Sequence, residues 1–143
     1  MKILTATTFE KTRNLIKSVK SPIVFTSDDD ELNRKVLEKL PIKILLINQK
    51  GRKDFQKQRN SGLDSPMAKA AKKNKITIGI NLKEILEADN KEKAKILARI
   101  KQNIKLCNKN KLNMVFLPKI RDSHSLKALG LVLGMPTFMT KHF

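Results

Sequence analysis

The sequence predicts an α/β fold: a βα unit repeated about five times, with parallel strands joined by right-handed crossovers. Three observations predict it. Short apolar runs such as Ile44-Leu45-Leu46-Ile47 alternate with segments whose apolar residues recur three to four apart. The runs are close to continuous rather than alternating, as in strands covered on both faces. Prolines 22, 41 and 118 punctuate the boundaries between the two kinds of segment. A complete eightfold barrel usually needs about 200 residues or more. A chain of 143 residues therefore forms either an open doubly wound sheet or an incomplete barrel, and spacing leaves both open. In both, functional groups gather at the carboxyl ends of the strands.

Taken in order, Lys2 to Ala6 predicts a first short strand, and Phe9 to Lys20 a helix with Thr7 or Thr8 as its cap and Leu15, Ile16 and Val19 on one face. Ser21-Pro22 breaks it, and Pro22 to Thr26 is a second strand. Ser27 or Asp28 caps a helix from Asp29 to Leu40. Acids at its start and Lys35 and Lys39 near its end complement the helix dipole. Ile42 to Ile47 is the third strand. A loop from Asn48 to Gly62 leads to a helix reaching Asn74, and Ile76 to Ile80 is the fourth strand. After a helical turn at Leu82 to Leu86 comes the longest helix, about Lys91 to Asn110, with Ala94, Leu97, Ile100, Ile104 and Cys107 on its apolar face. Leu112 to Leu117 is the fifth strand. A helix from about Ser123 to Leu133 closes on Gly134 as its C′ residue. The expected organisation is one domain over residues 1–135 and a loose tail over 136–143.

Composition bounds the partner rather than the fold. The net charge is +18, from 31 Lys and Arg against 13 Asp and Glu, and 40% of residues are hydrophobic. A packed globule with that charge fits a polyanion, nucleic acid before an anionic membrane. From Lys93 to Arg121 there are nine Lys or Arg and no acid. Cys107 is the single cysteine, so no disulfide framework is expected, and a reducing, cytoplasmic setting is the simple expectation. No run is long enough to span a bilayer, and Thr5, Thr7, Thr8 and Glu10 interrupt any signal-peptide core. With six Phe, no Tyr and no Trp, and with Phe25 and Phe116 inside apolar strands, recognition of RNA is expected to run through phosphates and shape more than base stacking.

The stretch Arg59-Asn60-Ser61-Gly62-Leu63-Asp64-Ser65-Pro66 carries the clearest candidate site. Asn60, Ser61 and Gly62 suit a turn. Two caps compete for the helix that follows: Ser61 with Asp64 as a capping box, or Ser65 before Pro66. Either leaves backbone N–H groups pointing out of a helix start, behind five cations, Lys50, Arg52, Lys53, Lys57 and Arg59, an arrangement that suits a phosphate. A capped helix after a solvated loop accounts for the same residues. Lys119, Arg121 and Lys127 form a second basic patch at another strand end. Asp28-Asp29-Asp30-Glu31 offers oxygen ligands for magnesium, but capping explains it without an ion. His124 and His142 lack metal-ligand spacing, and His124 beside Asp122 reads as a loop hydrogen bond or cap. Cys107 reads as core filler. No P-loop motif appears.

Three segments resemble the archaeal ribonuclease P protein component 3 family, counterpart of a eukaryotic ribonuclease P subunit. They are Asp29-Asp30-Glu31-Leu32-Asn33-Arg34 after a strand; Arg59 to Asp64 with Met67-Ala68-Lys69-Ala70-Ala71 and Ile78-Gly79-Ile80-Asn81-Leu82; and Ala98-Arg99-Ile100-Lys101-Gln102-Asn103 with Leu129 to Met135. Order and spacing agree across about Ile23 to Met135. Ser65-Pro66 departs from the polar residue and aliphatic common there, and Lys119 to Ser125 departs from the family's usual strand end. The chain is shorter than typical members, with the shortfall expected at the N-terminus. The resemblance implies a reduced TIM-like barrel of the polymerase-and-histidinol-phosphatase (PHP) type, lacking that superfamily's metal ligands. It also implies a role in removing the 5′ leader from precursor tRNA. The catalyst there is the ribonuclease P RNA with bound magnesium. The protein resembles a non-catalytic scaffold that pairs with protein component 2. On that reading Lys50, Arg52, Lys53, Lys57, Arg59, the Ser61-Gly62 turn, Lys119, Arg121 and Lys127 bind RNA. The alternative is a metal-dependent phosphoesterase of the same barrel type, using Asp28 to Asp30.

Overall fold

The computed structural model describes residues 2–143. Its sheet contains β1 (Lys2–Leu4), β2 (Ile23–Thr26), β3 (Ile44–Ile47), β4 (Thr77–Asn81) and β5 (Met114–Leu117), all parallel and in the spatial order β1-β2-β3-β4-β5. That order resolves what spacing left open. A doubly wound sheet reverses direction at a switch point. Here every strand lies beside the one before it, so right-handed crossovers carry all the helices to one face. The sheet is an arc of a TIM-like barrel.

Strand alternation follows the arc. Leu4, Ile23, Phe25, Leu45, Ile47, Ile78, Ile80, Met114 and Phe116 point to the helix-covered face and merge with helix residues in the main core. Val24, Ile44 and Leu46 face the other way, with Val115 and Leu117 against them and no helix residue among them. A Cβ at Gly79 would stand 3.0 Å from Leu46 Cδ1 and 3.1 Å from Ile44 Cγ2. The glycine in this otherwise apolar strand thus leaves room for its neighbours on the second face.

The helices are α1 (Phe9–Ser18), α2 (Asp30–Lys39), α3 (Ser65–Lys73), α4 (Leu82–Glu87), α5 (Asn90–Lys109), α6 (Ser123–Val132) and α7 (Thr137–Thr140). Their caps correct several expectations. Thr8 caps α1, but Asp29, not Ser27 or Asp28, caps α2 by accepting from the N–H groups of Glu31 and Leu32. Ser27 Oγ instead accepts from Asp29 N. Neither proposed cap holds α3: Asp64 is its N-cap, accepting from Met67 N at 2.9 Å, with Pro66 in the first turn. Asp122 caps α6 through Ser125 N, which holds its carboxyl below the usual range, and leaves His124 exposed. Gly134 follows α6 at φ +100°, as expected of a C′ glycine.

The segment 136–143, expected as a loose tail, is docked. Met139 and Thr140 are buried, Phe143 meets Phe116 edge to face, and Ser123 Oγ donates to the Phe143 carbonyl. Gly130 makes room, since a Cβ there would meet Met135, Thr140 and Phe143. On α5 the buried set is Ile96, Arg99, Ile100, Asn103, Ile104 and Cys107. Ala94, placed on the apolar face by spacing, is exposed, and Leu97 is half-buried. Cys107 is core, and burial pushes its thiol up to about 12. Among the described residues no helix is long and apolar enough to cross a membrane.

Candidate nucleic-acid interface

The loop after β3 is held from four sides. Glu84 on α4 accepts from the N–H groups of Gln49 (2.7 Å) and Lys50 (2.8 Å). Its burial raises its pKa, although those two N–H groups and the Arg52 charge pull the other way. Glu92 at the start of α5 accepts from Gly51 N. Arg52 folds back: Nε donates to Asn48 O at 2.7 Å, and Nη1 and Nη2 grip Asp30 on α2 at 2.7 and 2.8 Å. This is the forked geometry that favours arginine over lysine.

From α5, Arg99 enters the loop's centre with 2% of its side chain exposed. Its Nε donates to Asp54 (3.0 Å), its Nη1 to Gln49 O (2.9 Å) and its Nη2 to Arg52 O (2.7 Å). The Arg99 hydrogen bond, then that of Asn60 N–H, holds the Asp54 carboxyl below its usual range. Gln102 donates to Arg59 O and Ser61 Oγ. Asn103 and Gln49 both donate to Ser61 O, at 3.0 and 2.8 Å. The segments 59–64 and 98–103, which carry much of the family resemblance, thus meet face to face, and their polar side chains brace each other.

This geometry redistributes the predicted site residues. Ser61 is 2% exposed, so its side chain is a strut between α5 and the turn. Gly62 sits at φ +77°, and a Cβ there would fall 2.5 Å from Arg52 Nη2. Arg52 is committed to Asp30 and Asn48. Arg52, Ser61 and Gly62 therefore build the loop, whereas Lys50, Lys53, Lys57 and Arg59 are exposed on it. The Asp64 carboxylate occupies the α3 N-terminus, so the expected phosphate cradle at that helix start carries an acid instead. Lys119 and Arg121 are exposed at the carboxyl end of β5, the same end of the parallel sheet as the β3 loop. Lys127, on α6, is half-buried.

A polar ladder joins the strand ends beneath the loop. Asn81 Nδ2 donates to Asn48 Oδ1 (2.9 Å), and Asn48 Nδ2 to Thr26 Oγ1 (3.1 Å). The acidic run beside it is engaged: Asp28 accepts from Asn48, Asp29 caps α2, and Asp30 holds Arg52. Asn33, on α2, donates to Ser27 O. Among the described residues no three His, Cys, Asp or Glu side chains converge in a group that could hold a metal ion.

Sequence reasoning missed Arg99, Gln102 and Asn103 as the brace. Part of the signal was present, since Arg99 lies three residues after Ile96, Asn103 three after Ile100, and the two are four apart, on the buried stripe of α5. It also missed Phe55, which is 58% exposed.

No protein-family model matches the chain. Proteins named "Ribonuclease P protein component 3" do. The one from Methanococcus maripaludis is 30% identical over 112 residues, 78% of this chain and 46% of that protein. Those from Methanococcus vannielii and Methanocaldococcus jannaschii are 27% and 29% identical over 112 and 97 residues. The match spans 46%, 46% and 39% of the length of these curated relatives. In fold it matches a chain of the cryo-EM structure of archaeal ribonuclease P with mature tRNA, with TM-score 0.82 and 24% identity, over 97% of this chain and 62% of that one.

Proposed function

The chain is a relative of ribonuclease P protein component 3, and on that footing we propose that it serves as a non-catalytic, RNA-binding subunit of ribonuclease P. In this role it supports an RNA catalyst, with its magnesium, in removing the 5′ leader of precursor tRNA. Its partners are the ribonuclease P RNA, the precursor tRNA and protein component 2. The observation that carries the reading is the braced β3 loop. Four cations stand exposed on a scaffold of buried side-chain to main-chain hydrogen bonds, with Lys119 and Arg121 at the same end of the sheet. A pre-ordered cationic surface holds phosphates with less loss of conformational freedom than a floppy one.

The acids of Asp28 to Asp30 already serve the cap, the Arg52 fork and Asn48, so no observation favours the phosphoesterase alternative. The binding surface is tested by replacing Lys53, Lys57 and Arg59 with Ala and following affinity for ribonuclease P RNA against salt. The slope of log K on log salt is expected to shrink by about 0.7 to 0.9 for each phosphate contact removed. An unchanged slope would move the interface elsewhere.

A further inference from the structure

Beside the braced loop lies an open cleft of about 640 Å³ between α2, the 55–65 segment and α5, within the roughly 300–1,000 Å³ of small-ligand sites. Its chemistry differs from that of a phosphate-only surface. Leu63, Met67 and Leu106 contribute apolar surface to its lining, with Leu63 and Met67 buried and Leu106 half-buried. Phe55 lines it as the only aromatic there. Its side chain is 58% exposed, which leaves a ring face free for a stacking partner.

Lys105 and Lys109 line the α5 side. They lie four residues apart, on one stripe with Gln102. Neither has an ion-pair partner among the described residues. Two of the lining carboxylates are already engaged, Asp30 by Arg52 and Asp64 by Met67 N, which leaves Glu31. Gln102 fixes the opposite rim through Arg59 O. An aromatic face, apolar surface and unpaired cations together match a nucleotide unit, whose base stacks and whose phosphate needs charge.

We propose that this cleft takes one unpaired nucleotide of an RNA strand, its base on Phe55 and its phosphate on Lys105 and Lys109. The proposal rests on the reading of the chain as an RNA-binding subunit and adds to it a site for single-stranded RNA, with Arg59 of the β3 loop also in its lining.

The chain has no Trp or Tyr, so Phe55→Trp places a single reporter in the cleft. The variant is titrated with a short oligoadenylate, an RNA duplex of equal phosphate number and adenosine monophosphate, while labelled-RNA anisotropy follows binding by the parent chain. Oligoadenylate is expected to quench the tryptophan at concentrations where the duplex does not. Phe55→Ala is expected to weaken oligoadenylate binding about tenfold, in line with roughly 1–3 kcal/mol per stacked base, and to leave duplex affinity unchanged. If parent and Phe55→Ala bind oligoadenylate equally and the tryptophan is not quenched, the cleft is not a base site, although the RNA-binding reading stands. Quenching by the mononucleotide as strong as by the oligomer would assign the cleft to a free nucleotide and overturn the RNA source. If the parent binds no RNA at all, the subunit reading fails and this inference fails with it.

Discussion

Arg99 shows how a single side chain can order the long loop between β3 and α3. Buried at 2% exposure, it gives all its hydrogen bonds to Asp54 and to the carbonyls of Gln49 and Arg52. Arg99→Met would take the Arg99 donors from the Gln49 and Arg52 carbonyls and leave Asp54 with Asn60 N–H and Arg59. We expect a loss of about 3 kcal/mol in urea unfolding, and Arg99→Lys should recover little, because an ammonium cannot reproduce the fork. Asp54 and Glu84 give the loop opposite responses to acid. Asp54 is held below its ordinary value of 3.8. Its ionised form therefore favours the folded state above pH 3.8, and that support is lost as pH falls from there through the lower folded value. Glu84 is raised above 4.5, chiefly by burial. Its ionisation costs stability at neutral pH, and the cost fades as pH falls through the raised value toward 4.5. Urea midpoints between pH 3 and 7 should separate the two. Relative to the parent, Asp54→Asn removes a loss below pH 3.8, and Glu84→Gln removes a gain on acidification above pH 4.5.

At the scale of elements, the turn before α3 is built around Gly62. Its φ of +77° and the 2.5 Å and 2.8 Å approaches that a Cβ would make to Arg52 Nη2 and Ile47 Cγ2 exclude a side chain. Gly62→Ala should cost about 2 kcal/mol or more and speed amide exchange across residues 48–64 while leaving β1 and β2 protected. The strands and helices were legible in the sequence because apolar periodicity reports burial directly. Their caps were less so. Ser27, Asp28 and Asp29 can all accept from a free N–H, as can Ser61, Asp64 and Ser65, and which one does depends on the angle at which the chain leaves the sheet. The spacing of the brace residues was legible, but their partners were not. A buried Arg or Asn on α5 breaks the apolar pattern, and only the loop packed above it, more than 40 residues away in sequence, supplies its partners. The closing segment read as a tail because its anchor is a gap beside Gly130, which has no sequence signature of its own.

For the whole molecule, spacing predicted parallel βα units but not their direction of travel across the sheet. The right-handed crossover rule fixes the hand of each step, whereas pairing over long separations decides whether the order reverses. The sequential order leaves β1 and β5 at the edges of the arc. Five of the seven large exposed apolar side chains among the described residues lie in or next to the two end units: Ile3 and Leu15 at one end, Ile120, Leu131 and Val132 at the other. The charge of +18 belongs to this scale too, and it makes any RNA affinity steeply dependent on salt. The central claim is that the chain assists an RNA catalyst rather than cleaving RNA itself. Reconstitution tests it most directly: a ribonuclease P RNA and component 2, with and without this chain, followed by 5′-leader cleavage of a precursor tRNA at limiting magnesium. We expect the chain to raise the rate or lower the magnesium requirement, with no cleavage when the RNA is left out. Cleavage by the protein alone, or no effect on the RNA's activity, would contradict the account.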